Sequence, residues 1–434
     1  MGFSTLGCIM AIAPGFSKNR IDAKPNVVFI LADDMGIECL SKYGGTSHLT
    51  PNIDKIAQQG MMFTNCYSNP FSSPSRASLL TGRYPFKNGL KVVLYSRKQE
   101  DIFLSPEQPS FARQLKQAGY ATAVVGKWHM SLTHKHNTIN EFGFDQYQVW
   151  EIFDEAGKKR RQNWSPNYIR NGVNISEQIK DRYGPDVDVE FLTSFMKENA
   201  AKKHPFMAWY TTCLPHFPWE PTPDSEDKSY RAPGPEHKGD PKYFPDMMKY
   251  LDKCIGKVLK TVETLGIADN TIIIFAADNG TDRDLVNLWG DGKAINGGKG
   301  TMSDRGTHVP LMMSWKKHIK AGSKCNDLID FSDMFPTICD LAKASLPKAE
   351  LHGRSFAPQL FGKRGNPRQW IHIQDGEKRQ IRNQNYMLNN NGELRPVVAI
   401  WEDEAKPNQN KYPEKEQKAR KSLQQAFDFL GEEK

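Results

Sequence analysis

Several short stretches of this chain hold side chains that could bind an anion and a hard cation together. Asp33 and Asp34 follow the apolar run Asn26–Ala32, and Asp278 and Asn279 follow Thr271–Ala277. Three carboxylates and one amide oxygen make an oxygen-only site, suited to Ca²⁺ or Mg²⁺. Ser72 heads the stretch Ser72-Ser73-Pro74-Ser75-Arg76-Ala77-Ser78-Leu79-Leu80-Thr81-Gly82. Ser73 suits a helix cap, Pro74 the first helical position and Gly82 the residue past the end, which predicts a helix over Pro74–Thr81 with Ser72 just before it. Its free N–H groups favour an anion, and Arg76 adds a fixed charge about one turn along. Lys127 and His129 lie two apart after the run Tyr120–Gly126, a spacing that puts both on one side of a strand. His216, in Pro215-His216-Phe217-Pro218, has a ring suited to proton donation near neutral pH. Lys299 lies in Gly297-Gly298-Lys299-Gly300, a loop that lets backbone approach an anion closely. Taken singly, each has a plainer reading: a capped surface helix, polar loop starts, a structural histidine, a flexible loop.

The elements that must position these residues alternate. Asn26–Ala32 and Thr271–Ala277 read as strands buried on both faces, and Tyr120–Gly126 and Phe206–Tyr210 as further strands. Helices are predicted from Thr50-Pro51-Asn52 to Gly60, from Ser110 to Gly119, and from Asp246 to Leu265, where Met248, Leu251, Ile255, Val258 and Val262 share one face. This argues for a large N-terminal α/β/α sandwich with a mostly parallel sheet. Ile139–Pro185, polar and aromatic, reads as insertion loops. After about Leu351, short strands near Trp370–Ile373, Ile381 and Val397 and a helix over Pro413–Leu430 predict a smaller α+β subdomain. The expected division is a lead-in over 1–24, a catalytic domain over 25–350 and a C-terminal subdomain over 351–434.

The chain has 434 residues and a net charge of +8, a balance that suits an acidic partner such as nucleic acid, an anionic membrane or a sulfated polymer. No nucleic-acid motif is visible, and no stretch is long enough to span a membrane. The basic run Lys158-Lys159-Arg160-Arg161 reads as a solvated loop. The apolar stretch Leu6–Ala13 resembles the core of a signal peptide without its leading basic residues, so export to the periplasm or the medium is expected. Leu6-Gly7-Cys8 also reads as a weak lipoprotein cleavage site. Seven scattered cysteines show neither metal-ligand spacing nor a disulfide framework, and read as small core residues.

The string from Ser72 to Gly82 resembles the signature of the type I sulfatases, of the alkaline-phosphatase-like superfamily: Cys or Ser, any residue, Pro, Ser, Arg, then Leu-Thr-Gly. The resemblance runs from Pro25 to about Leu360 and includes Gly126-Lys127-Trp128-His129, Asp-Asp after the first strand and Asp-Asn-Gly after a late one. It implies a sulfatase in which residue 72 is oxidised by a maturase to formylglycine, with a metal held by Asp33, Asp34, Ser72, Asp278 and Asn279. It also implies that one hydroxyl of the hydrated aldehyde attacks sulfur, that His216 protonates the departing alcohol, and that the second hydroxyl then expels sulfate. Lys127 and Lys299 would neutralise charge on the transferring group, and Arg76 would steady nucleophile and metal.

Two departures stand out. Most members carry Cys where this chain has Ser72, which fits either a serine-type sulfatase or an engineered Cys→Ser replacement. The family's Glu-Gly-Gly-Ile-Arg-Val-Pro is Asp304-Arg305-Gly306-Thr307-His308-Val309-Pro310 here, so Arg305 and His308 are expected to help select the substrate. The basic balance favours a sulfated carbohydrate as substrate. The alternatives are a phosphate or phosphonate ester hydrolase of the same superfamily and an inactive glycan-binding homologue.

Overall fold

The computed structural model describes residues 24–153, 158–228, 239–402 and 413–431; the Leu6–Ala13 stretch and Cys8 lie outside them. The first eight strands are β1 Asn26–Ala32, β2 Met61–Tyr67, β3 Ala121–Gly126, β4 Gln146–Trp150, β5 Tyr168–Arg170, β6 Val173–Asn174, β7 Phe206–Thr211 and β8 Thr271–Ala277. A hairpin, β9 Val286–Trp289 and β10 Lys293–Asn296, precedes β11 Leu311–Trp315 and β12 Ser323–Asp330. All but the hairpin form one ten-stranded sheet in the order β12-β2-β11-β8-β1-β7-β3-β4-β5-β6. Only β11 and β5 run against the rest.

Every residue of β1, β7 and β8 is buried, as their unbroken apolar runs require of central parallel strands. The pleat of β7 shows the layers. Phe206 meets Phe195 of the helix Gly184–Ala201, whereas Trp209, three residues on, meets Phe111 of the helix Phe111–Gln117. Helices thus cover both faces.

A second sheet, β13 Ile371–Asp375, β14 Lys378–Arg382, β15 Tyr386–Asn389 and β16 Leu394–Pro396, is an antiparallel meander. The helix Glu414–Leu430 covers it, burying Leu423 and Ala426 against Ile381, Leu388 and Leu394. Two buried arginines tie this unit to the large one. Arg368 Nη2 lies 2.5 Å from Asp333 Oδ1, and Arg382 pairs with Asp304 while its guanidinium sits 4.1 Å over the Tyr67 ring.

Two sequence expectations are corrected here. Ile139–Pro185 is not only loop: β4, β5 and β6 lie within it and complete one edge of the main sheet. The helix expected from Pro74 starts at Ser72, with Phe71 as its cap. Pro74 still falls in the first turn, where a missing N–H costs nothing. Ser73 is not a cap; its hydroxyl accepts from the Leu94 N–H at 3.1 Å. The six described cysteines are all buried and unpaired.

Candidate active site

Four neighbouring strands, β8, β1, β7 and β3, end at the same edge of the sheet and deliver the predicted residues there. Asp33 and Asp34 follow β1, Asp278 and Asn279 follow β8, Lys127 and His129 follow β3, and His216 lies in the loop after β7. β3 stops at Gly126, so a turn, not the pleat, carries His129 to the site, at φ +56. Gly126 has φ +106, and a Cβ there would stand 2.1 Å from the Thr211 carbonyl oxygen, so only glycine lets β3 close on β7 before Lys127.

Ser72 is 2% exposed at the start of its helix. Its hydroxyl lies 3.2 Å from Asp33 Oδ1 and 3.3 Å from Asn279 Oδ1, and the Lys127 ammonium donates to it at 3.2 Å. Lys127 also donates to both Asp33 oxygens, at 2.9 and 2.7 Å. Arg76 donates twice to Asp278 Oδ2, at 3.0 and 2.7 Å, and once to the Lys127 carbonyl at 2.8 Å. Lys299 Nζ lies 2.5 Å from Asp34 Oδ2, and His216 Nε2 lies 3.5 Å from the same oxygen. The other His216 nitrogen, Nδ1, meets the Phe217 carbonyl, and Gln162 donates to the carbonyls of His216 and Phe217 at 3.1 Å each.

Burial pushes the Asp33 carboxyl up, but Lys127, Arg76 and Lys299 together hold it below its ordinary value. Asp34 is pushed up to about 7, by burial first and then by Asp33 and Asp278, with Lys299 and Lys127 opposing. A buried carboxylate this poorly compensated suits an added cation. Asp33, Asp34 and His216 offer ligand atoms within 4.8 Å of one another, and the Asn279 oxygen lies beside Ser72. The residues therefore fit a hard divalent metal, as the sequence led one to expect, with His216 a neighbour that the sequence did not assign to it. Asp278 is more committed than expected: Arg76 holds one oxygen and the Asp34 N–H the other, at 3.1 Å. His216 is held well below the ordinary histidine range by burial and by Lys299, Lys127 and Lys159.

Above Ser72 opens a cleft of about 380 Å³ lined by Phe71, Val93, Leu94, Tyr95, Lys127, His129, Trp150, Ile152, Lys159, His216 and Lys299. Arg305 and His308 are not among these residues. The short helix Asp304–Thr307 turns Arg305 toward the Ile400 and Glu402 carbonyls, at 2.9 Å each. His308 is buried, stacked on Tyr67 and bonded to the Thr64 carbonyl. Lys158, Lys159 and Arg160 are exposed, as the reading of their run as solvated loop expects, and Lys159 also reaches the cleft. A residue's place on a cleft wall leaves no local signal in a charge run, so neither it nor Trp150 was visible beforehand.

Residues 25–344 match the family model described as Sulfatase. The chain belongs to the sulfatase family. It is a hydrolase of sulfate esters. This sulfatase is similar to human arylsulfatase A, at 29% identity over 381 residues, covering 83% of this chain and 72% of that one. It is similar to the N-acetylgalactosamine-6-O-sulfatase of Bacteroides thetaiotaomicron, at 30% identity over 433 residues, covering 84% and 81%. Among solved structures it superposes on Ps i-CgsB with a TM-score of 0.72 and 26% identity over 86% of each chain; that protein has also been solved with k-i-k-neocarrahexaose.

Proposed function

We propose that this sulfatase removes sulfate from a sulfated carbohydrate, with residue 72 oxidised from serine to formylglycine by a maturase and a Ca²⁺ or Mg²⁺ held by Asp33, Asp34, Asp278 and Asn279. The observation that carries the reading is the Ser72 hydroxyl at the floor of the cleft, within 3.3 Å of Asp33, Asn279 and Lys127. The carbohydrate is supported by the relative named as an N-acetylgalactosamine-6-O-sulfatase. Export to the periplasm or the medium belongs to the same proposal, on the strength of the Leu6–Ala13 stretch.

Each side chain then has a task. The aldehyde, once hydrated, supplies two geminal hydroxyls, one to attack sulfur and one to expel sulfate. A metal held by Asp33, Asp34, Asp278 and Asn279 would supply Lewis-acid polarisation. Lys127 and Lys299 place fixed positive charge around the anion. Arg76 holds Asp278 and the Lys127 carbonyl, which fixes the backbone from which the lysine reaches Asp33. A carbonyl can only accept, so His216 Nδ1 carries the proton toward Phe217 and Nε2 faces the cleft. Burial and the three lysines oppose protonation of His216, so it would take a proton on Nε2 as the bound anion offsets those charges, and would then donate it to the departing sugar oxygen.

The test is the state of residue 72 alongside sulfate release from a glycan panel. Mass spectrometry of active protein should find residue 72 lighter by two hydrogens than serine, co-expression with a serine-type maturase should raise sulfate release, and Ser72→Ala should abolish it. Many turnovers by protein with an unmodified Ser72 would overturn the mechanism. Metal analysis should find calcium or magnesium, lost in Asp33→Asn; zinc alone, or no metal after calcium saturation, would overturn the metal assignment.

A further inference from the structure

Three cations at the floor of the cleft are matched by carboxylates: Arg76 by Asp278, Lys127 by Asp33 and Lys299 by Asp34. Lys159, on the cleft wall, has no carboxylate partner among the described residues. Its charge bears on the site all the same. Burial, then Lys127 and Lys299, hold its ammonium below the ordinary lysine range, and it helps to hold His216 low in turn. A lysine that feels two others, with no acid beside it among the described residues, is a poor device for stability, because like charges repel. It is a good device for an anion that arrives.

The wall around it suits a sugar. Tyr95, 73% exposed, presents a ring at the mouth, and Val93, Ile152 and Trp150 continue the apolar surface. Trp150 is buried, yet its indole N–H has no acceptor among the described residues. One charged group, the Lys159 ammonium, with no acid beside it among the described residues, thus lies on a wall otherwise made of rings and aliphatic groups, the Trp150 ring among them while its N–H is buried. Lys159 lines the same cleft as His216, Lys127 and Lys299, so an anion that it holds would belong to a group next to the sulfate those lysines meet.

We propose that Lys159, with Trp150 and Tyr95, forms a subsite for a second anionic group, sulfate or carboxylate, carried by the departing sugar or its neighbour. This rests on the carbohydrate-sulfatase reading above and narrows it to substrates with at least two anionic groups. The Lys159 stem lies along the apolar wall while its ammonium meets the second anion. A charge-assisted hydrogen bond in a half-open site is worth roughly tenfold in affinity.

Binding tests this without turnover. Protein with Ser72 unoxidised is titrated calorimetrically with a monosulfated hexosamine, the same sugar bearing a second sulfate, and a monosulfated disaccharide bearing a uronate. Wild type should bind at least one doubly anionic sugar about tenfold more tightly than the monosulfated one, and the two arms tell sulfate from carboxylate. Lys159→Ala should erase that preference and leave the monosulfated sugar's affinity unchanged, and Lys159→Arg should retain it. With matured enzyme the same ratio should appear in kcat/KM. Equal affinity of wild type for all three sugars, or an equal loss on all three in Lys159→Ala, would overturn the proposal. If the binding preference holds but no sugar loses sulfate, the subsite stands and the assigned reaction fails.

Discussion

Removing His216 should separate two substrates that share a sulfate and differ only in what leaves. Its Nε2 lies at the cleft, 3.5 Å from Asp34 Oδ2, with the ring fixed through the Phe217 carbonyl and the Gln162 amide behind it. A general acid placed this way contributes roughly 10²- to 10⁴-fold, or about 3–5 kcal/mol of barrier, when the departing oxygen is strongly basic. A sugar alkoxide is such a group. A phenolate, whose parent acid has a pKa near 10, departs with far less help. His216→Ala should therefore cut kcat on a sugar sulfate by about 10²-fold or more, and on an activated aryl sulfate by less than about tenfold. Steady-state sulfate release on both substrates is the assay, with metal content measured alongside because Asp34 is so near. Equal losses on the two substrates at unchanged metal content would refute the acid role and leave His216 as a binding residue.

Arg305→Gly should weaken the fold and leave sugar preference alone. It removes two N–H donors from the Ile400 and Glu402 carbonyls, a loss of about 1–3 kcal/mol that hydrogen exchange should localise to residues 398–402; a changed sugar preference would contradict this placement. Asp188→Asn should flatten the pH dependence of stability. Burial pushes Asp188 to about 7 from 3.8, even though Gln148 and Tyr168 donate to it at 2.8 and 2.9 Å. Its folded pKa is the higher, so its contribution is complete below about pH 4 and fades as pH rises through 7, by at most about 4 kcal/mol. The amide cannot ionise, so the variant should lose less stability than wild type between pH 5 and pH 8; melting temperatures that fall equally with pH in both would contradict the assignment.

What could be read from the sequence follows from how local each signal is. β1 and β8 are apolar throughout because both faces are covered, and such runs announce themselves, as do the acids that end them. The Ser72–Gly82 string carries its own helix signals, and only the start was misplaced, because Pro74 fits any position of a first turn. β4 and β5, with Gln148 and Arg170 among apolar neighbours, look like loop until β3 is there to pair with β4. That Arg305 and His308 do not line the cleft was hidden for a different reason. Nearness to Lys299 along the chain does not say which way one short turn of helix will point them. Lys159 was hidden by its own company, since four consecutive basic residues look alike until a wall is built beside one of them.

The burial of the signature helix sets an order of events in the life of this protein. All ten residues of Ser72–Thr81 are buried, and the packing around the helix includes chain that comes much later: Asp278, which Arg76 holds, and the turn and helix after β12. An enzyme that must grip the peptide around residue 72 and draw its side chain into another active site cannot take hold of a segment that is packed into the fold. If residue 72 is oxidised, its maturation precedes the last stage of folding. The supply of active enzyme then depends on a race between the maturase and the closing sheet, and a variant that folds faster could be a poorer catalyst in the cell for that reason alone.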